Sequence, residues 1–221
     1  MTLKLQHPFT LIVAGPSSCF KSTFVIRLLE RTVQLSDIAF QNIVWGLSEN
    51  APHYLKNVSF VKGEPEFENP ENVPTLIVLD DLMDSAYSTK VSELFTKGSN
   101  HRNISVVLIT QNLFHQGSSS GDIPLNSKYI VVFKNPRDKT QVVHLARQFY
   151  PENISSFHKT YLEACKDPHS YLFLDLTQSI NDLLRFRTNN FPGETCEVFA
   201  PLQGNEPVKV TTTLPPRTSR R

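Results

Sequence analysis

The stretch F-T-L-I-V-A-G-P-S-S-C-F-K-S-T-F, residues 9–24, decides how this chain is read. Its centre, Gly15 to Ser22, follows the pattern G-x-x-x-x-G-K-[ST] with one departure. In that pattern backbone N–H groups cradle phosphates, the lysine reaches the terminal phosphates and the hydroxyl ligates Mg²⁺. Gly15, Lys21 and Ser22 are in place, and Phe20 stands where the second glycine is expected. That glycine serves a backbone conformation that a bulky side chain resists, because positive φ is uncommon outside glycine. An apolar strand pattern, Phe9 to Ala14, leads into the loop. The spacing of Phe24, Ile26, Leu28 and Leu29 predicts an amphipathic helix over Ser22 to Thr32. Strand, loop and helix in that order are the context the motif requires. Gly15, Pro16, Ser17, Ser18, Cys19, Phe20, Lys21, Ser22 and Thr23 are therefore the candidate phosphate-binding set of a nucleotide site. Ser22 is the Mg²⁺ candidate, and Thr23 a residue of the helix's first turn.

Outward from the loop, two strongly apolar runs end in chemistry. Leu76-Ile77-Val78-Leu79 runs into Asp80 and Asp81, which puts two carboxylates at a strand's carboxyl end. One can hold Mg²⁺ (Asp80), and the other can polarise an attacking water (Asp81). Adjacent carboxylates repel, so a cation or a proton between them is expected; a capping turn is the plain alternative. Asp84 reads as the cap of the next helix. Ile104 to Thr110 is the second run, and it delivers Gln111, an amide able to orient water or sense the γ-phosphate. Arg102 precedes that strand, at the end away from Gln111. It reads as an arginine finger offered to a neighbouring subunit, or equally as a solvated turn residue. Arg137, Arg147, Arg185 and Arg187 are rival fingers or DNA contacts, and His101 and His115 read as surface residues.

Further strands are expected at Asn42–Leu47, Val58–Lys62, Tyr129–Phe133 and Tyr171–Leu176, with a short edge element at Glu197–Ala200. Helices are expected at Ser88–Lys97, Lys139–Phe149 and Ile154–Cys165. Gly63–Pro74 reads as a loop, and Gln116–Pro124 as a flexible one. Apolar strands alternating with helices predict an α/β fold, a mostly parallel central sheet with helices on both faces. Ligands of such sheets bind at the carboxyl ends of the strands.

The chain has 221 residues, 39% hydrophobic and 19% charged, with a net charge of +1. That suits a globular protein able to bury a core, and a DNA partner would need a local basic lining. Cys19, Cys165 and Cys196 form no C-x-x-C pair, which suggests a reducing compartment, and Cys165 with His169 is too sparse for zinc. The apolar N-terminal run is too short for an export signal, and no run reaches the roughly 18 residues of a membrane span. A soluble intracellular protein with no membrane partner is the expectation. Residues 1–200 read as the P-loop domain, and 201–221, rich in Pro, Thr and Arg, as a disordered tail.

Taken together, the acidic strand followed by H-R-N-I-S-V-V-L-I-T-Q-N-L-F resembles viral genome-packaging ATPases of the FtsK–HerA superfamily of P-loop proteins. The resemblance is to poxvirus-type enzymes and their relatives in Polinton-like and adintovirus-like elements. It continues through Tyr129–Pro151, Asp167–Leu176 and Leu184–Pro192, and so spans Phe9 to Pro192. It implies the additional-strand P-loop fold and an ATP- and Mg²⁺-dependent motor. Such a motor forms a homo-oligomeric ring and drives double-stranded DNA, whatever its sequence, into a capsid. Its partners would be DNA and a capsid or portal protein, at an assembly site in the host cell, nucleus before cytoplasm. Lys21 and Ser22 match the family's loop, Asp80 and Asp81 its acidic strand, Gln111 its sensor and Arg102 the arginine before the sensor strand. Phe20 departs from the family's glycine, which bears on catalysis more than on fold. A second reading is therefore a catalytically impaired or domesticated relative that holds nucleotide weakly and acts in assembly. A third, a small-molecule kinase, shares the loop but not the glutamine-ended strand.

Overall fold

The computed structural model describes residues 4–47, 55–80, 89–95, 102–114, 122–200 and 208–213. Its strands are β1 (Thr10–Ala14), β2 (Asn42–Leu47), β3 (Ser59–Lys62), β4 (Thr75–Asp80), β5 (Ile104–Thr110), β6 (Tyr129–Phe133), β7 (Tyr171–Asp175), β8 (Phe186–Thr188), β9 (Thr195–Ala200) and β10 (Val208–Thr213). They form one sheet in the order β10-β9-β8-β7-β6-β1-β5-β4-β2-β3. The six strands from β6 to β3 run parallel. The other four add antiparallel to the β6 side.

The parallel strands are apolar throughout because both faces are covered. In β1, Leu11 and Val13 enter one core while Ile12 and Ala14 enter the other; Val107 and Ile109 of β5 part from Val106 and Leu108 in the same way. Helix α1 (Lys21–Glu30), followed by the short α2 (Thr32–Leu35), covers the first face through Phe24, Val25, Leu28 and Leu29. The second face carries α3 (Thr89–Glu93), the turn α4 (Asp122–Leu125), α5 (Thr140–Phe149) and α6 (Ile154–Ala164). Val142, Leu145, Phe157 and Tyr161 pack there against Ile130 and Leu172. Each fully buried side chain of this kind contributes about 1.5–3 kcal/mol, which makes the central strands a rigid seat for the loops at their ends. No helix among the described residues is long and apolar enough to cross a membrane.

Several expectations are corrected. Glu197–Ala200 is no edge element: β9 lies between β8 and β10. Val208–Thr213, placed by composition in an unstructured tail, pairs with β9 from Val208↔Ala200 to Thr213↔Thr195. Its sequence V-K-V-T-T-T is β-branched at every residue but Lys209, which bonds Glu197 across the pair at 2.7 Å. The proline and arginine around it hid that signal. Strand β8 is three residues long, too short to show a period. Residues 122–124, read as loop, belong to α4, while 115–121 lie outside the described residues.

Candidate nucleotide site

Strand β1 ends at Ala14, and the Gly15 N–H donates to the Thr110 carbonyl of β5 at 3.2 Å. The loop therefore starts fixed to the end of β5. Gly15 is required here for space rather than for its dihedral angles. A β-carbon on it would stand 2.7 Å from Phe133 Cβ and 2.8 Å from Cys19 Sγ, closer than real contacts allow. Cys19 is itself buried under the loop, and burial pushes its thiol pKa up, so it stays a neutral packing group. We expect Gly15→Ala to displace the loop, lowering stability by about 1–3 kcal/mol; a thermal melt and a nucleotide titration check it.

Phe20 adopts φ 75° and ψ 27°, the left-handed conformation that the missing glycine would take, and caps α1 from there. Its carbonyl accepts the Phe24 N–H at 2.9 Å. The side chain does not prevent the geometry; it carries the strain, about 1–2 kcal/mol for a residue with a β-carbon. Lys21, the first helical residue, folds its ammonium onto the loop, donating to the carbonyls of Gly15 at 2.8 Å and Pro16 at 2.9 Å. Pro16, Ser17, Ser18 and Thr23 complete the loop and first turn, with Ser17, Ser18, Ser22 and Thr23 exposed.

Ser22 and Asp80 meet. The Ser22 hydroxyl donates to Asp80 Oδ2 at 3.3 Å, from α1 to the end of β4. A hydroxyl and a carboxylate side by side at the loop's edge are hard oxygen donors, the set that suits Mg²⁺. Gln111 follows Thr110, whose carbonyl holds Gly15, so it stands on the same edge. Asp81, with Asp84, His101 and His115, lies outside the described residues.

The sequence reading missed the brace behind Gln111. The Thr110 hydroxyl closes a turn on Asn112, accepting its N–H at 3.3 Å. Gln141 of α5 accepts the Leu113 N–H at 2.8 Å and donates to Asn112 Oδ1 at 3.1 Å and Asp138 Oδ2 at 2.8 Å. Hydrogen bonds from Thr140, and then from Gln141, hold the Asp138 carboxyl below its ordinary pKa. The Asp138 contact is thus fully present above the usual carboxylate range and is lost only as pH falls through that lowered value. Nothing in the spacing of these residues marks them in sequence, because helix α5 meets the turn only through the fold.

The arginines separate by location. Arg102 is exposed at the opposite edge of the sheet, where Asn69 donates to its carbonyl at 2.7 Å. Arg137 is exposed in the loop after β6, on the phosphate-loop edge, and Arg147 is exposed on α5. Arg187 is corrected from finger or DNA contact to core: it is 3% exposed and paired with Asp175 at 3.1 Å. Arg185 is likewise engaged, by Asp182 at 2.6 Å and the carbonyls of Asp175 and Thr177. A cleft of about 660 Å³ opens at the far edge, among Glu66, Glu68, Asn69 and Glu71. Three carboxylates repel phosphate, so volume there is a poor guide to this chemistry.

With this geometry in place, solved structures supply the comparison. The genome packaging NTPase B204 of Sulfolobus turreted icosahedral virus 2, in complex with sulfate, matches with a TM-score of 0.53 at 11% identity; the match covers 76% of this chain and 91% of that one. The same protein in complex with AMPPCP matches with a TM-score of 0.52 at 12% identity, covering 80% and 94%. The chain has the fold of a P-loop NTPase. The cytoplasmic domain of the Thermomonospora curvata type VII secretion ATPase EccC is also similar, with a TM-score of 0.50 at 12% identity over 83% of this chain and 26% of that one. B204 is a viral genome-packaging NTPase, the kind of protein that the residues resemble. No protein-family model and no curated protein matches the chain.

Proposed function

We propose that this P-loop NTPase fold is an ATP-hydrolysing motor that moves double-stranded viral DNA into a capsid. The observation that carries the reading is the Ser22 hydroxyl 3.3 Å from Asp80, beside a loop whose lysine already faces its phosphate cradle. In this reading Gly15–Thr23 bind the triphosphate, and Lys21 exchanges two loop carbonyls for phosphate oxygens. Ser22 and Asp80 hold Mg²⁺, which when bound neutralises charge on the phosphates. Asp81 polarises the attacking water and Gln111 orients it, steadied by Asn112 and Gln141. Arg102, at the far edge of the sheet, acts in trans on a neighbouring subunit's site, which makes a homo-oligomeric ring part of the proposal. The likeness to a DNA-packaging ATPase supports a DNA substrate, held through phosphates rather than base edges; a capsid or portal partner completes the proposal. The site of action is the host's virus assembly compartment, nucleus before cytoplasm.

The test is Mg²⁺-dependent ATP hydrolysis with and without double-stranded DNA. Turnover stimulated by DNA and reduced on the order of 10²-fold or more by Asp81→Asn is the expected result. Turnover no greater than that of the variant contradicts the motor.

Phe20 favours one other reading, an impaired relative that retains nucleotide and serves assembly. A large rise in turnover on Phe20→Gly is its signature. The motor reading expects a modest change, because Phe20 already holds the glycine's conformation.

A further inference from the structure

Phe20 and His169 stack with ring centroids 3.9 Å apart and planes 14° from parallel. Both residues have positive φ, 75° and 59°. Both are exposed, and Phe20, at 53%, is the one exposed phenylalanine, tyrosine or tryptophan among the described residues. Two strained residues thus support a flat aromatic surface that the core does not use.

Its position names the ligand. His169 lies in the turn before β7, and Tyr171, the first residue of β7, pairs with Phe133, the last of β6. The turn is therefore on the same edge as the phosphate loop. It is held in place: the Lys134 N–H donates to the Ser170 carbonyl at 3.0 Å, and the Ser170 hydroxyl to the Asp167 carbonyl at 2.6 Å. In the sheet, β1 has β5 and β4 on one side and β6 and β7 on the other. Ser22 with Asp80, and Gln111, mark the β5–β4 side, where the metal and terminal phosphate belong. A triphosphate lying in the loop with that orientation sends its nucleoside toward the β6–β7 side, where the two rings stand.

We propose that the stacked Phe20–His169 pair is a shelf for the base of the bound nucleotide. A planar base stacks on an aromatic face whatever its hydrogen-bonding edge, so the shelf adds affinity without selecting among bases. It gives Phe20 a role in the site: the loop keeps its backbone shape and gains a ring at the nucleoside end. The inference rests on the loop being a nucleotide site.

The experiment titrates ATP and inorganic tripolyphosphate, each with Mg²⁺, against the wild-type chain, Phe20→Asn and His169→Asn by calorimetry. Asparagine tolerates left-handed backbone, so each variant removes a ring while keeping the turn. ATP affinity should fall roughly fivefold to tenfold in each variant. In His169→Asn, which lies outside the phosphate loop, tripolyphosphate affinity should stay within about twofold, since this ligand has no base to stack. His169→Tyr should restore ATP binding. Equal losses for both ligands in His169→Asn would mean that the rings act through the loop backbone, and would overturn the shelf. Unchanged ATP affinity would overturn it as well. A wild-type chain that binds neither ligand would defeat the nucleotide reading, and the shelf with it; binding that is indifferent to the rings defeats the shelf alone.

Discussion

Lys21→Ala is expected to lower ATP turnover on the order of 10²–10³-fold. The lysine has no competing structural duty beyond the loop itself: its two bonds go to the carbonyls of Gly15 and Pro16. In the proposed site those carbonyls border the phosphate cradle, which puts the ammonium where negative charge would arrive. Removing it takes away the one side-chain cation of the loop, and with it charge stabilisation that strengthens as the phosphoryl group transfers. Stability should change little, since Lys21 is half-buried at a helix start and forms no ion pair among the described residues. Steady-state ATPase rates beside thermal melts separate the two effects. A variant that melts normally and still turns over at the wild-type rate would remove Lys21 from the chemistry.

Asp175→Ala is expected to produce the largest loss of stability, about 3–5 kcal/mol. The carboxylate and Arg187 are 7% and 3% exposed and 3.1 Å apart, across β7 and β8. Burial pulls the Arg187 pKa down and the Asp175 carboxylate opposes that pull; the guanidinium stays charged in either case. Arg187 also lies over the Phe173 ring at 4.8 Å and donates to the Leu184 carbonyl at 3.2 Å. Asp175 in turn accepts from the Thr177 N–H at 3.2 Å and hydroxyl at 2.6 Å. Alanine leaves a buried cation without its partner and two donors without their acceptor. For a chain of this length the melting temperature should fall by roughly 6–20 °C. Replacing both charges together, Asp175→Leu with Arg187→Met, should recover most of that loss, because the pair's desolvation penalty goes with it. A single variant as stable as wild type would show that the pair is not what holds β7 to β8.

How much of this was legible beforehand follows from what each feature depends on. Strands β2, β5 and β6 coincide with their expected limits because apolar runs buried on both faces carry their own boundaries. The loop, Asp80 and Gln111 fall on one edge because the parallel order of β1, β4 and β5 puts their carboxyl ends together. Phe20 was legible as an anomaly but not in its resolution. Its left-handed backbone was anticipated as an obstacle, whereas its stacking on His169 depends on β7 pairing with β6 far along the chain. Arg187 and Gln141 were misread or missed for a similar reason: an arginine's burial and an amide's partners are decided by neighbours that no local period records. Strand β10 was hidden by composition, since threonine and valine beside proline and arginine look unstructured until a partner strand is supplied.

The central claim is that the loop at Gly15–Thr23 is a working nucleotide site despite Phe20. Equilibrium binding of a non-hydrolysable ATP analogue, with Mg²⁺ and with chelator, tests it most directly on the wild-type chain and Lys21→Ala. The account predicts saturable binding that is strengthened by Mg²⁺ and lost in Lys21→Ala. No saturable binding, or equal binding by the variant, would contradict it.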